Sequence, residues 1–170
     1  MCSKLIIKDN DKIALIGFNK FPDLIEEDIV SCKKRELLTI YSSWLIQEEF
    51  ENIYREKKPF NLYINTGNKN LEYVYTVKDF VTKRGSEGIK CPEEWLKYIE
   101  TESYYYPILK KYDFKVYPQY TSLPIKTWFL ISRVERVDTK IEWSKMQDIR
   151  GIPARSSGKS YYLYVIDPLK

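Results

Sequence analysis

The segment from residue 125 to 137, IKTWFLISRVERV, constrains the fold more than any other part of the sequence. Its apolar side chains alternate, with Trp128 and Leu130 on one face and Phe129 and Ile131 on the other. Aromatic and β-branched residues in such an alternation favour a β-strand. We therefore predict a strand here and a sheet that includes it.

Three further stretches have the pattern of strands. Residues 4–18 predict two short strands around the turn Asp9-Asn10-Asp11, because apolar positions alternate on both sides of it. Residues 60–81 predict a strand, a turn and a returning strand, with turn-forming residues between 65 and 70. Residues 160–168 predict a last strand.

The strongest helical pattern runs from residue 33 to 57, where Pro59 ends it. Five apolar residues at helical spacing begin its apolar stripe: Leu37, Leu38, Tyr41, Trp44 and Leu45. Residues 91–100 predict a short helix, and residues 142–149 predict a helical turn. The stretch 22–31 is ambiguous, although Pro22 followed by acidic residues fits the start of a short helix.

These elements predict an α+β fold. Its centre is a bent mixed or antiparallel sheet, or a small β-barrel, flanked by one long helix and short helices. The chain has 170 residues, of which 44% are hydrophobic, and this is enough for one well-buried core. No linker or internal repeat divides it, so we predict a single domain over residues 1–170.

The composition excludes several kinds of catalysis. The chain has no histidine, which removes histidine-based nucleophile pairs, histidine general bases and histidine-containing zinc motifs. Its three cysteines are isolated, which fits a reducing cytoplasm, and no apolar run approaches the ~20 residues that span a bilayer. We therefore expect no metal, no cofactor and no membrane contact. Catalysis stays open, with a non-enzyme favoured.

The sequence GIPARSSGKS, residues 151–160, ends like a phosphate-binding loop. However, Pro153 stands where that loop needs its first glycine, and the sequence that follows predicts a strand in place of the required helix. We therefore predict a basic loop that carries Arg150, Arg155 and Lys159. Such a loop can contact phosphates but lacks the features of a nucleotide-hydrolysing site.

Aromatic residues are unusually abundant, with 15 tyrosines, seven phenylalanines and four tryptophans. Many tyrosines crowd residues 103–124, which three prolines interrupt, so we predict a loop there with a short strand at 114–117. Exposed aromatic rings near basic residues form stacking platforms for unstacked bases. Packing beneath a long loop is the alternative explanation.

Two stretches suggest a family. Residues 60–81 form a strand, a turn and a returning strand that ends in a V-x-x-F/V pattern, and residues 126–137 run into a V-x-x-V tail. In these stretches the chain resembles the PUA-like superfamily, whose EVE, YTH and ASCH members bind modified or flipped bases. The resemblance implies a small β-barrel flanked by helices, with an aromatic pocket that takes a base out of its stack. It also implies the recognition domain of a larger effector protein, such as a restriction or defence enzyme.

We therefore expect a nucleic-acid-binding domain, and specifically a reader of a modified or flipped base in DNA or RNA, methylated or not. The candidates for base stacking are Trp95, Trp128, Trp143, Tyr105 and Tyr117. The candidates for phosphate contact are Lys126, Arg133, Arg136, Arg150, Arg155 and Lys159.

Two other functions stay open. Tyrosine and arginine dominate protein interfaces, which fits a protein-binding or inhibitor accessory factor of a phage or virus. A metal-dependent nuclease would use Asp23 and Glu56, which match the letters of a PD-(D/E)xK motif. Glu56 lies at the end of the predicted helix, however, where a metal site would not be held rigidly.

Overall fold

A six-stranded mixed β-sheet forms the centre of the computed structural model, which describes residues 5–152 and 162–169. Its strands in chain order are β1 (Ile13–Phe18), β2 (Leu38–Ser42), β3 (Phe60–Asn65), β4 (Tyr73–Thr82), β5 (Thr127–Arg136) and β6 (Leu163–Ile166). The α-helices are α1 (Pro22–Arg35), α2 (Glu48–Glu56) and α3 (Tyr106–Lys111), and two 3₁₀ helices cover Glu93–Tyr98 and Trp143–Lys145.

The strand order in the sheet is β2-β5-β4-β3-β1-β6. Strands β1 and β3 are parallel, and every other neighbouring pair is antiparallel. The α+β class and the mixed sheet are therefore confirmed. The strand–turn–strand unit at 60–81 and the strand at 127–136 also form where the sequence predicted them, as β3–β4 and β5.

The sheet curls strongly. Three strands separate β5 from β6, so strands spaced ~4.8 Å apart would put them ~19 Å apart in a flat sheet. Nevertheless the rings of Phe129 in β5 and Tyr162 beside β6 meet with their centroids 5.9 Å apart. The edge strands β2 and β6 do not pair with each other in the described part of the chain, so the predicted closed barrel is not confirmed.

The inner face of the curl holds the largest core. Helices α1 and α2 contribute Ile25, Ile29, Phe50 and Tyr54 to it, and the hydroxyl of Tyr54 donates to the carbonyl of Ala14 at 2.7 Å. On the outer face, residues 141–146 cover β1 and β6, while residues 91–125 cover β5. The strands are therefore packed on both faces.

The long helix predicted over residues 33–57 is wrong. Helix α1 ends at Arg35, the following residue Glu36 has a left-handed φ of 69°, and the chain then enters β2. Leu37 packs against the outer core and Leu38 lies in the inner core. Leu37 and Leu38 thus face opposite sides of the sheet at the beginning of a strand, and do not share one stripe of a helix. A separate helix, α2, begins only at Glu48.

Residues 5–8 and 103–124 also differ from the prediction. The turn after Lys8 forms, with the amide of Asp11 donating to the Lys8 carbonyl at 3.0 Å, but residues 5–8 are not a strand. The amide of Ile6 instead donates to the carbonyl of Ile149. The proline-cut segment contains helix α3, with Pro107 at its beginning, and Val116 makes an isolated bridge with Pro124.

One carboxyl group on helix α1 links stability to pH. Asp28 accepts a hydrogen bond from the hydroxyl of Tyr75 at 2.6 Å. Burial raises the pKa of Asp28 from its ordinary value of 3.8 to about 6, with Glu27 and Glu100 adding to the rise and Tyr75 opposing it. Because the folded protein holds this proton more tightly than the unfolded chain, the corresponding stability is present below about pH 4 and is lost as pH rises through 6.

Asp28→Asn should therefore stabilise the protein near pH 8 by up to ~3 kcal/mol and change little near pH 4. The neutral amide removes the cost of a buried charge while its oxygen can still accept from Tyr75. Urea unfolding of both proteins at the two pH values measures this. Asp23→Asn, on the exposed first turn of the same helix, is the control. An unchanged pH dependence in Asp28→Asn would contradict the assignment.

Candidate functional site

Three aromatic rings meet at one end of the curled sheet, and we call Phe18, Trp44 and Trp143 the aromatic site. The Phe18 ring lies between the other two, with centroids 6.0 Å from Trp44 and 6.1 Å from Trp143, and both contacts are edge-to-face. Phe18 is 39% exposed, and both tryptophans are half-buried. The site therefore presents aromatic surface to solvent from three separate parts of the chain.

Phe18 and Trp44 are each held in place by neighbouring strands and hydrogen bonds. Phe18 ends β1, beside the carboxyl end of its parallel neighbour β3. The amide of Trp44 donates to the Ser42 hydroxyl at 3.0 Å, and its carbonyl accepts from the Thr127 hydroxyl at 2.6 Å. The Trp44 ring also packs edge-to-face on Tyr162, with centroids 5.3 Å apart. The rings are thus held by the curl of the sheet.

Polar groups lie next to the rings. The Asn19 amide donates to the Asn65 carbonyl at 3.0 Å, and the Asn19 side-chain oxygen accepts from the backbone of Phe21 at 2.9 Å. Within the described ranges the side-chain nitrogen of Asn19 has no acceptor. An amide nitrogen of this kind can donate to a ligand beside the Phe18 ring.

Two lysines pair with the carboxylate next to Trp143. Its neighbour Glu142 is paired with Lys69 at 2.8 Å through one carboxylate oxygen and with Lys145 at 3.1 Å through the other. Both lysines are largely exposed. Two exposed cations share this one carboxylate, and Glu72 and Asp138 add negative charge in the adjoining cleft. The two ammonium groups, and no overall excess of positive charge, are therefore what a negatively charged ligand could contact here.

An open cleft of about 350 Å³ lies between the start of β4 and the chain that follows β5. Its lining includes Asn70, Arg136 and Lys140. The side-chain oxygen of Asn70 is buried and has no hydrogen-bond partner among the described residues. Because Asn70 forms a β-bridge with Glu142, the cleft adjoins the segment that carries Trp143.

Two of the predicted stacking residues are core residues. Trp128 is 0% exposed and donates its indole N–H to the carbonyl of Ile89 at 2.8 Å. Trp95 is buried in the same outer core. Neither ring offers a face to solvent, so both stabilise the sheet and its covering segment. Of the four tryptophans, the half-buried ones are Trp44 and Trp143.

Of the other two predicted stacking residues, Tyr117 belongs to a group of three contacting rings, and we call Tyr41, Tyr117 and Tyr120 the tyrosine cluster. The ring of Tyr105 packs edge-to-face on that of Tyr104, with centroids 5.4 Å apart. The rings of Tyr117 and Tyr120 are nearly parallel, at 12° with centroids 6.3 Å apart, and Tyr41 meets Tyr117 edge-to-face at 5.4 Å. Burial, with a smaller contribution from the neighbouring phenols, raises the pKa of Tyr41 and of Tyr117.

Two of the predicted phosphate contacts are engaged inside the protein. Lys126 is buried, and its ammonium group donates to the carbonyls of Gly85 and Glu87. Arg150 makes two hydrogen bonds of 2.9 Å to the buried carboxylate of Asp148. A ligand phosphate would have to displace these internal acceptors, so both residues are structural in this conformation.

The remaining predicted cations differ in accessibility. Arg136 donates to Glu26 at 2.9 Å, and hydrogen bonds from Arg136 and Tyr73 lower the pKa of Glu26. Arg133 is exposed and pairs with Glu135 at 3.2 Å on the surface, where such pairs are weak. Both can still turn towards a phosphate. Arg155 and Lys159, in the predicted basic loop, lie outside the described residues.

The residues of the nuclease hypothesis lie on two different helices. Asp23 is in the first turn of α1 and Glu56 is the last residue of α2, and both are exposed. In residues 5–152 and 162–169, no three acidic or cysteine side chains come together as a metal site. The same ranges hold no helix whose length and apolarity would let it cross a bilayer.

Sequence reasoning identified Trp143 but missed Phe18 and Trp44. The predicted long helix includes Trp44 in its apolar stripe, and Phe18 is only the last residue of a predicted strand. A signal was present for Phe18, which directly follows the apolar residues 13–17 and precedes Asn19 and Lys20. That pattern marks strand ends, where binding residues collect. Trp44 follows two serines and precedes Leu45, so it carries no such signal.

The comparisons with known proteins add no relative. Neither the family models, nor the curated proteins, nor the solved structures contain a match to the chain.

Acrylamide quenching of tryptophan fluorescence should separate the two kinds of tryptophan. We expect Trp44 and Trp143 to be quenched in the native protein, and Trp95 and Trp128 to be protected because they are buried. The double variant Trp44→Phe and Trp143→Phe should therefore lose the quenchable fraction. Equal quenching of all four tryptophans in the native protein would show that the site is not arranged as described.

Replacing Lys126 tests whether it is structural. Lys126→Met should lower the free energy of unfolding by ~1–3 kcal/mol, because two carbonyls lose a charged donor. It should leave the salt dependence of any nucleic-acid binding unchanged. Arg133→Met, which removes an exposed cation, is the matched control and should affect stability little. A normal stability with a smaller salt slope in Lys126→Met would instead make it a phosphate contact.

Proposed function

We propose that this protein is a non-enzymatic nucleic-acid-binding domain that reads a base displaced from its stack. The observation that carries the proposal is the aromatic site, where Phe18, Trp44 and Trp143 present partly exposed rings at a common point. An unstacked base loses its contacts to neighbouring bases, and aromatic side chains restore them. Modified or methylated bases belong to the same ligand class.

In this proposal the rings bind the face of the base and polar groups read its edge. Asn19 supplies an amide donor next to Phe18. Lys69 and Lys145 lie on either side of Glu142 and contact the sugar–phosphate backbone, because their ammonium groups are exposed. Arg133 and Arg136 can add contacts to the sugar–phosphate backbone further from the base, and Arg155 and Lys159 of the predicted basic loop remain candidates. Such contacts position a strand without reading its sequence.

The proposal includes a relation to the PUA-like superfamily. The curled mixed sheet and the aromatic site at one end of it support this relation. Helices α1 and α2 pack against the inner face, which would be the interior of a barrel, and this is one difference from the fold that the resemblance implies. An unclosed sheet is another difference from the small barrel that the resemblance implies. The corresponding partners are DNA or RNA and a larger effector protein, and the expected compartment is the cytoplasm.

Protein binding is the second candidate function. It is favoured by Tyr120, which is 64% exposed, and by the neighbouring exposed Leu123. Exposed tyrosine and leucine side chains on one loop are typical of a protein interface. A pull-down that yields a stoichiometric protein partner, with no nucleic acid retained, would favour this function over the first.

Binding of single nucleosides and short oligonucleotides, methylated and unmethylated, tests the proposed function. Tryptophan fluorescence should change on binding, because two of the ligand-contacting rings are tryptophans. Trp143→Ala should weaken binding at least ~10-fold, as expected for loss of one stacking ring, and Trp143→Phe should retain most of it. The control Phe21→Ala removes an exposed aromatic ring outside the aromatic site.

The result that would overturn the proposal is specific. If no DNA or RNA, single- or double-stranded, binds even at low salt, the chain is not a nucleic-acid-binding domain. If binding occurs but Trp44→Ala and Trp143→Ala bind like the native protein, the aromatic site is not the place where the base is read.

A further inference from the structure

The tyrosine cluster is a second aromatic surface that the aromatic site does not use. It lies on the outer side of the sheet, where Tyr41 packs on the buried Trp128 with centroids 5.6 Å apart. The loop that carries Tyr117 and Tyr120 is compact. The amide of Tyr117 donates to the Leu123 carbonyl at 2.8 Å, and that of Leu123 donates to the Tyr120 carbonyl at 2.8 Å. The exposed Tyr120 ring is therefore presented by an ordered turn.

The rings in the cluster are supported to different extents. Tyr41 and Tyr117 are half-buried and in edge-to-face contact, and the Tyr41 hydroxyl donates to the side-chain oxygen of Gln119 at 3.3 Å. Tyr120 continues outward from Tyr117 with a nearly parallel ring and is mostly solvent-exposed. A supported inner ring and an exposed parallel outer ring form a platform on which a further flat ring can stack.

The charge of the surrounding segment favours a polyanion. Helix α3 and the turn after it carry Lys110, Lys111 and Lys115, all exposed. The acidic residue in this stretch, Asp113, is already paired with Lys90 at 3.3 Å. Aromatic rings combined with an excess of cations match single-stranded nucleic acid, whose bases stack and whose phosphates attract lysine.

The cluster also lies close to the aromatic site along the chain. Tyr41 in β2 and Trp44 in the loop that follows are three residues apart, so their Cα atoms are at most ~11 Å from each other. Their rings belong to opposite sides of the sheet, since Tyr41 packs on the outer core and Trp44 on the inner core. One flexible strand can pass around this end of β2 and touch both surfaces.

We propose that the tyrosine cluster, with the lysines of α3, binds the nucleotides that flank the base read at the aromatic site, by stacking them in single-stranded form. The inference rests on the proposed function for the class of partner. It adds a second binding surface to that function. It also requires that the nucleotides next to the base are single-stranded.

The test compares a nucleoside with a single-stranded oligothymidylate of about 12 nucleotides, a length within the range that one such surface can bind. Fluorescence anisotropy or tryptophan quenching reports binding. Tyr120→Ala should weaken oligonucleotide binding ~10-fold and leave nucleoside binding unchanged. Tyr120→Phe keeps the ring and should bind like the native protein. Tyr112→Ala, an exposed tyrosine of the same segment outside the cluster, is the matched control.

A second variant measures the charge contribution. Replacing Lys110, Lys111 and Lys115 together by serine should reduce the dependence of the oligonucleotide affinity on salt. The slope of log affinity against log salt should fall by ~0.7 for each phosphate contact that is lost from a single strand. An unchanged slope would show that these lysines do not face the bound strand, and would contradict their part in the inference.

The outcomes separate this inference from the proposed function. Loss of oligonucleotide binding in Tyr120→Ala but not in Trp143→Ala would support the cluster and overturn base reading at the aromatic site. Equal oligonucleotide binding by Tyr120→Ala and the native protein would overturn the cluster while nucleoside binding could still support the aromatic site. Absence of oligonucleotide binding in the native protein would overturn the inference, and it would favour a protein as the partner of the tyrosine cluster.

Discussion

The contact between Phe129 and Tyr162 is the one on which the rest of this structure depends. It joins strands that a flat sheet would hold far apart, and both rings belong to the inner core that α2 helps to fill. Phe50 and Tyr164, with ring centroids 4.2 Å apart, form part of that filling. The aromatic site follows from the curl, since Trp44 reaches Phe18 across the same gap and rests on Tyr162.

The fold could be predicted from sequence where the pairing is local. Strands β3 and β4 are joined by a short turn, and β5 has the alternation of a strand along its length, so both were found. Strand β2 pairs with β5, which lies far along the chain, and nothing in its own sequence reveals that partner. Its adjacent apolar residues Leu37 and Leu38 also fit a helical stripe, and the left-handed turn at Glu36 is carried by a residue without a strong preference for it.

For the candidate sites as well, the sequence identified single residues but not their neighbours in space. The aromatic character of Trp143, Tyr105 and Tyr117 could be read from the sequence, but not which other rings lie beside them. Tyr41 and Trp44 belong to the misassigned segment, so their roles depended on tertiary pairing that was not predicted. Likewise, a basic side chain gives no sign in the sequence of whether a carbonyl or carboxylate already holds it, as Gly85 and Glu87 hold Lys126.

Some basic side chains bind acceptors inside the protein, and this reduces the number that could contact the phosphates of a nucleic acid. The net charge is only +4, and Lys126 and Arg150 are committed to internal acceptors. Backbone neutralisation alone would therefore give weak binding, because each unavailable cation removes a counterion-release contribution. Phe18 and Tyr120, although each contacts other rings, keep part of their aromatic surface exposed to solvent. In the proposed function, stacking would therefore supply most of the affinity, and stacking needs bases that are not already paired within a duplex. Two aromatic surfaces beside β2 thus fit a partner with a locally single-stranded region better than an intact double helix.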